Sequence, residues 1–212
     1  MSLLQEIQPH LYNSKVSLLI RHSDRHDIAP NTSGNDALLT EQGKRNALEF
    51  GKKLSDYKIN TIITTHIQRC IQTAEYIAEG YGKPLGIEPS KTFAGLHIND
   101  WETAKKYLKK PNGYEDWYRN VINDKSFPGI CEASEYSEIM TGFITSQTKE
   151  KGLTIFISHD FVIAYYHYAL NKTTYTMFSD WVNYLSGLIL IDGQYIGPFK
   201  YKSQFTAEAV EN

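Results

Sequence analysis

The sequence predicts an α/β layer fold with a mostly parallel central sheet, and three observations predict it. Short apolar runs of strand length, such as Val16 to Ile20, alternate with helix-length amphipathic segments. The runs are apolar on consecutive residues, as strands covered on both faces of a parallel sheet must be. Polar clusters follow three of them within a few residues, where open α/β sheets collect their ligands.

Each element has its own signal. Val16 to Ile20 is the first strand, and a polar loop rich in turn formers runs from His22 to about Ala37. Thr40 is a suitable N-cap for a helix reaching about Leu54, with Ala47, Leu48 and Leu54 on its apolar face. Ile59 to Thr64 is a second strand, and about Gln68 to Glu79 a second helix, ended by Gly80 and Gly82. Gly86 to Pro89 gives a short third strand. From Phe93 to Ile130 no period is visible; the stretch is rich in Trp, Tyr, Lys and Asn, and is expected to be an insertion capping the core. A helix over about Glu132 to Thr148, a strand at Leu153 to Ile157 and a helix from Asp160 to Leu170 follow. A last strand at Leu185 to Ile191 stops at the turn signal Asp192-Gly193, and the polar tail from Ser203 to Asn212 is expected to fray. The expectation is a three-layer sandwich with helices on both faces, in one domain over 1–212 with an insertion at about 93–130.

With 212 residues the chain can bury about 70% of its unfolded surface, enough for a core without staples. Its 22 Lys+Arg against 24 Asp+Glu leave a net charge of −2, which excludes a strongly basic nucleic-acid binder. Cys70 and Cys131 have no zinc-site spacing and are expected to be structural. The N-terminus lacks a secretory pattern and no apolar run approaches the roughly 20 residues of a membrane span. A cytoplasmic protein with no membrane or nucleic-acid partner is the expectation.

The polar clusters are Arg21-His22-Ser23-Asp24-Arg25 after the first strand, Arg69 after the second, and Ser158-His159-Asp160 after the fourth. Arginines with bidentate donors suit a dianionic phosphoryl group, and a neutral histidine among them would act as a nucleophile toward phosphorus. A metal site from His22, Asp24, His26 and Asp27 is a weaker alternative, because that segment reads as loop rather than one helix face. Lys105, Lys106, Lys109 and Lys110 read as a solvated helix face.

Leu19-Ile20-Arg21-His22-Ser23-Asp24-Arg25, the LLTEQGKRNA helix start, IITTHIQRCIQTAEYIA and Phe156-Ile157-Ser158-His159-Asp160 resemble, in order and spacing, the histidine phosphatase superfamily. The resemblance covers about residues 16–82 and 153–191. It implies that His22 is the nucleophile that becomes phosphohistidine. Arg21 and Arg69 would bind phosphoryl oxygens, with Arg25 and Ser23 as further phosphate binders, and His159 would lie across the pocket as a donor. Thr40 and Gly43 match a structural helix-opening motif, and Thr73 and Ala74 match a packing block. The phosphoglycerate mutase-like branch has a proton-donating Glu where this chain has Gly95, whereas Asp160 directly after His159 is the acid-phosphatase branch's way of supplying that proton. Asp100, Glu102 and Glu88 remain alternative donors.

The implied activity is hydrolysis of a small phosphomonoester through phosphohistidine, with no metal and no cofactor. A phosphatase acting on phosphohistidine or phosphotyrosine in a protein partner, and a degenerate protein that only binds a phosphorylated ligand, are the rivals. The aromatics Trp101, Tyr107, Tyr114, Trp117 and Tyr118 would serve as lid, as docking face, or simply as packing.

Overall fold

Seven-residue segments with their central side chains buried form the middle of the sheet: β1 (Lys15–Arg21), β2 (Ile59–Thr65) and β4 (Gly152–Ser158). This computed structural model describes residues 6–28, 34–123, 125–172 and 181–201. With the shorter β3 (Ile87–Ser90), β5 (Gly187–Ile191) and β6 (Gln194–Phe199), the strands make a six-stranded sheet in the order β3-β2-β4-β1-β5-β6. The first four strands run parallel; β5 and β6 add an antiparallel pair at one edge.

Alternation along the strands sorts the core into two layers. Leu18 and Ile20 of β1 face one cluster together with Ala47, Phe50, Ala74 and Ile77, while Leu19 faces the other. The first layer is covered by α1 (Glu41–Lys53) and α2 (Gln68–Tyr81), and the second by α5 (Ala133–Gln147) and α6 (Asp160–Asn171). Thr40 caps α1 as expected, its side-chain oxygen accepting from the Gly43 N–H at 2.9 Å.

Three expectations are corrected. Gly80 does not end α2: the helix runs to Tyr81 and stops at Gly82, which is left-handed at φ 71°. Gly80 and Gly51 sit where α1 and α2 cross, and a Cβ on either would come within 2.1 Å of a carbonyl oxygen of the other helix. The strand ending at Ile191 is not the last: β6 follows Asp192-Gly193, and its signal is weak because Gln194–Phe199 alternates exposed and half-buried residues and ends in Gly197-Pro198-Phe199. The insertion is not irregular: α3 (Trp101–Leu108) and α4 (Gly113–Val121) lie within it. The 203–212 tail lies outside the described residues.

Candidate active site

The register of β1 and β4 builds the site. Arg21 pairs with Ser158, so the next residues, His22 and His159, leave neighbouring strand ends side by side. The His22 N–H donates to the Ser158 carbonyl at 3.0 Å, and the two imidazole centroids lie 5.5 Å apart. Arg69 comes from the first turn of α2, just beyond β2, and Asp160 opens α6.

Hydrogen bonds set the tautomer of His22. Its Nδ1 lies 2.7 Å from the Ser23 carbonyl, which accepts and cannot donate, so the proton sits on Nδ1. Nε2 keeps its lone pair, toward which the Arg69 Nε–H donates at 3.0 Å. Arg69 also donates to the Gly34 carbonyl at 2.7 Å and, through Nη2, to His159 Nδ1 at 3.2 Å. The other His159 nitrogen is 3.4 Å from Thr65 Oγ1. In this resting arrangement His159 orients Arg69.

Arg21 is gripped on several sides. Its Nη2 pairs with Asp160 Oδ2 at 2.9 Å, its Nη1 donates to the Val182 carbonyl at 2.6 Å, and its Cζ lies 4.2 Å from the Tyr184 ring centroid. Its Nε is buried with no hydrogen-bond partner among the described residues. Asp160 accepts from three donors: Arg21 and the Trp181 Nε1–H at 3.2 Å on Oδ2, and the Phe161 N–H at 2.9 Å on Oδ1.

Burial and neighbouring cations keep both histidines neutral. Burial first, then His159 and Arg21, hold His22 well below the ordinary histidine value, against an opposing effect of the Ser23 hydrogen bond. Burial and Arg69 push His159 down to about 3, partly countered by Asp160. Burial also lowers Arg69 and raises the Cys70 thiol to about 12, so Cys70, 3.8 Å from His159 Nε2, stays protonated and inert.

These groups line a cavity of about 320 Å³ that also takes in Arg25, Asn35, Gly95 and Tyr114. Three guanidinium groups face one carboxylate among its lining residues, which makes it an anion receptor. Six of the seven site residues named from sequence converge here: Arg21, His22, Arg25, Arg69, His159 and Asp160. Ser23 does not. It is fully buried, its hydroxyl donates to the Gly43 carbonyl at 2.8 Å and its N–H to Thr73 Oγ1 at 3.0 Å, so it clamps the loop rather than binding phosphate. Gly43 permits that clamp, since a Cβ there would sit 2.0 Å from the Asp24 carbonyl oxygen. Thr73, expected to pack, is the clamp's other jaw, donating to the Arg69 carbonyl at 2.7 Å.

The alternative proton donors lie elsewhere. Asp100 caps α3, and the hydrogen bonds it accepts from the Thr103 hydroxyl and then from the Thr103 N–H, the latter at 3.1 Å, lower its pKa. Glu102 pairs with Lys105, and Glu88 accepts from Thr61 at 3.3 Å. None of the three lines the cavity, and Asp160 is its one carboxyl group among the described residues. In the alternative metal set, Asp24 Oδ2 accepts from Asn46 at 3.0 Å, and no cluster of three potential ligands is present among the described residues.

Sequence reasoning missed the strap Trp181 to Tyr184. It reaches the site because β5 runs antiparallel to β1, so its leading end meets the trailing end of β1. Arg21 N–H donates to the Ser186 carbonyl at 2.9 Å, and Leu185, in the left-handed region at φ 58°, donates back to Arg21 at 3.1 Å. The available signal was two aromatic residues just before a strand; the strand's direction was not available.

The profile of the histidine phosphatase superfamily (branch 1) matches residues 17–194. A probable phosphoglycerate mutase, GpmB of Cronobacter sakazakii, is 27% identical over 133 residues, which are 60% of this chain and 60% of that protein. The chain therefore matches less than two-thirds of that curated relative. Among solved structures, a phosphoglycerate mutase from Bacillus anthracis superposes with TM-score 0.59 at 16% identity, covering 89% of this chain and 93% of the other. A phosphoserine phosphatase from Entamoeba histolytica, solved with 3-phosphoglyceric acid, superposes with TM-score 0.59 at 17% identity, covering 88% and 98%. At such identities the likeness is one of fold.

Proposed function

This chain belongs to the histidine phosphatase superfamily, and from that premise we propose that it hydrolyses a small phosphomonoester through a covalent phosphohistidine on His22. The observation that carries the reading is the tautomer of His22: a buried neutral imidazole, its Nδ1–H tied to Ser23 and its Nε2 lone pair facing the Arg69 Nε–H that a phosphoryl group would displace, among three cavity-lining arginines.

The substrate dianion takes Arg69 Nε–H away from His22 Nε2 and draws Arg21 and Arg25 onto its oxygens. Such preplaced donors are each worth about 10² to 10³ in rate. Burial is the main reason His159 is neutral, and the charge of Arg69 adds to it; the dianion offsets the Arg69 charge and favours a proton on His159, which then donates to the transferring group. His22 Nε2 attacks in line; the N–P bond forms as the ester P–O bond breaks, and Asp160, which takes a proton from solvent once the substrate draws Arg21 away from it, gives that proton to the leaving oxygen. Nδ1–H bonds more strongly to the Ser23 carbonyl as the ring becomes cationic. Water then attacks the phosphohistidine, passing a proton to the Asp160 carboxylate, and inorganic phosphate leaves.

No metal or cofactor enters this scheme, because the arginines hold the charge. The reading takes residues 1–212 as one catalytic domain in a cytoplasmic setting, which suits two free, buried cysteines. Hydrolysis is preferred to mutase chemistry because Gly95 stands on the cavity wall where the mutase-like pattern has its Glu.

The test is rapid quenching during turnover of a ³²P-labelled phosphomonoester. Acid-labile, base-stable label on a peptide containing His22, absent from His22→Ala, is the expected result; label on another residue, or an active His22→Ala enzyme, overturns the assignment.

A further inference from the structure

Resting on the phosphomonoesterase reading above, we infer that the cavity selects monoesters of small alcohols carrying an apolar ring, through a wall formed by Tyr114 and Phe161. Phe161 follows Asp160 at the start of α6 and donates its N–H to Asp160 Oδ1 at 2.9 Å. The group that protonates the leaving oxygen and this ring are thus neighbours on one helical turn. Tyr114, reaching over from α4, lies against Phe161 with ring centroids 5.6 Å apart. Both line the cavity, with Ile28 and Leu96 completing its apolar side.

In-line attack places the leaving alcohol opposite His22, on the Asp160 side. The organic part of the substrate therefore meets Tyr114 and Phe161. The cavity-lining residues that follow Asp160 on α6, Phe161 and Val162, and Tyr114 packed on Phe161 carry no charge. Burial raises the Tyr114 hydroxyl above its ordinary value, so the ring stays neutral at physiological pH. A carboxylate or a polyhydroxylated ring would find few partners on this wall, whereas an apolar ring would cover Tyr114, which is 45% exposed.

Size narrows the choice. About 320 Å³ is at the small end of ligand pockets, enough for a phosphoryl group and one ring. A small molecule is the occupant; a phosphotyrosyl peptide presents the same ring and is the rival to be separated by experiment.

Leaving-group acidity must be held constant, so the probes are ethyl phosphate and 2-phenylethyl phosphate, whose alcohols have similar acidity. The purified wild-type enzyme is expected to favour the phenylethyl ester in kcat/KM by about tenfold or more. Tyr114→Ala should bring that ratio toward one, and Tyr114→Phe should retain it; the partly exposed position makes both variants foldable. A wild-type ratio near one, or a ratio untouched by Tyr114→Ala, overturns the wall while leaving phosphohistidine chemistry standing. Higher kcat/KM for 3-phosphoglycerate than for the phenylethyl ester also overturns it. Preference for a phosphotyrosyl peptide over free phosphotyrosine transfers recognition to a protein partner and overturns the small-molecule assignment. Failure to hydrolyse either ester, with no label on His22, defeats the parent reading as well.

Discussion

The strand edge and the cap hold their residues in place by opposite means. At the edge, backbone pairing does the positioning: Arg21 opposite Ser158 makes His22 and His159 neighbours whatever their side chains prefer. In the cap, side chains do it. Trp117 packs edge-on to Tyr165 at 4.9 Å and against Phe161 at 6.3 Å, and Tyr118 packs on Trp181 at 5.1 Å. Trp117 and Tyr118 are fully buried and attach the cap, whereas Tyr114 lines the cavity and Trp101 and Tyr107 stay exposed. In the proposed reaction chemistry would sit on the strand edge, and choice of substrate on a wall that joins Tyr114 of the cap to Phe161 of α6.

The largest expected break in this division comes from Asp160→Asn. If the edge supplies the proton, the variant should lose about 10² to 10⁴ in kcat/KM on alkyl phosphates and far less on nitrophenyl phosphate, whose leaving group departs without help. Asp160 also holds Arg21 at 2.9 Å, and loss of that positioning would weaken both substrates alike. The ratio of the two substrates, measured in wild type and variant, separates the roles; an unchanged ratio removes the acid from the edge.

The same contrast explains how much could be read in advance. The core strands and α1, α2, α5 and α6 were legible because each carries its own signal, whether an apolar run, Thr40 as cap or Gly82 as stop. The site followed from them, since in a parallel sheet any polar residue just past a strand end is a candidate. Ser23 was misplaced because sequence gives the residue's position in the loop and not the direction of its hydroxyl, which the close approach at Gly43 decides. Trp181 and Tyr184 were invisible because their contact with Asp160 and Arg21 depends on β5 running antiparallel, a matter of topology rather than local pattern. The helices α3 and α4 are short and flanked by Pro111 and Asn112, which hid their period.

Acid sensitivity should also belong to the edge. Below pH 6.5 an unfolded chain protonates His22 and His159, while the native state holds both below that value, His159 at about 3. Their contribution to stability is therefore complete above pH 6.5 and is lost as pH falls from there toward the folded pKa, at up to about 1.4 kcal/mol per pH unit for each histidine. The side chains packed beneath the cap behave oppositely: burial raises Tyr136 and Tyr165 and puts Tyr166 at about 12, so they are silent in acid. Urea midpoints should fall between pH 7 and pH 5, and His159→Gln should flatten that slope. A slope untouched by His159→Gln would place the acid lability elsewhere.

The smallest expected effect is the sharpest test of whether the cap can take over an edge function. Gly95 lies on the cavity wall, at the head of the capping segment, and a Cβ built there meets no atom within 4 Å. Gly95→Glu should therefore fold, and its carboxyl would approach the leaving oxygen from the side opposite the strand ends. If Asp160 supplies the proton in the wild-type background, the change should alter kcat/KM on ethyl phosphate by no more than about threefold. In Asp160→Asn, where the alkoxide departs unaided, the same glutamate should restore about tenfold or more on ethyl phosphate and little on nitrophenyl phosphate. That selectivity matters because recovery of folding or of phosphate affinity would raise both substrates together. Selective rescue would mean that the leaving oxygen is accessible from both regions and that Gly95 is the position where this chain gave the acid to the edge. Absence of rescue in a folded double variant would mean that only the strand end reaches the leaving oxygen, and the cap's part in turnover would be confined to the ring-binding wall.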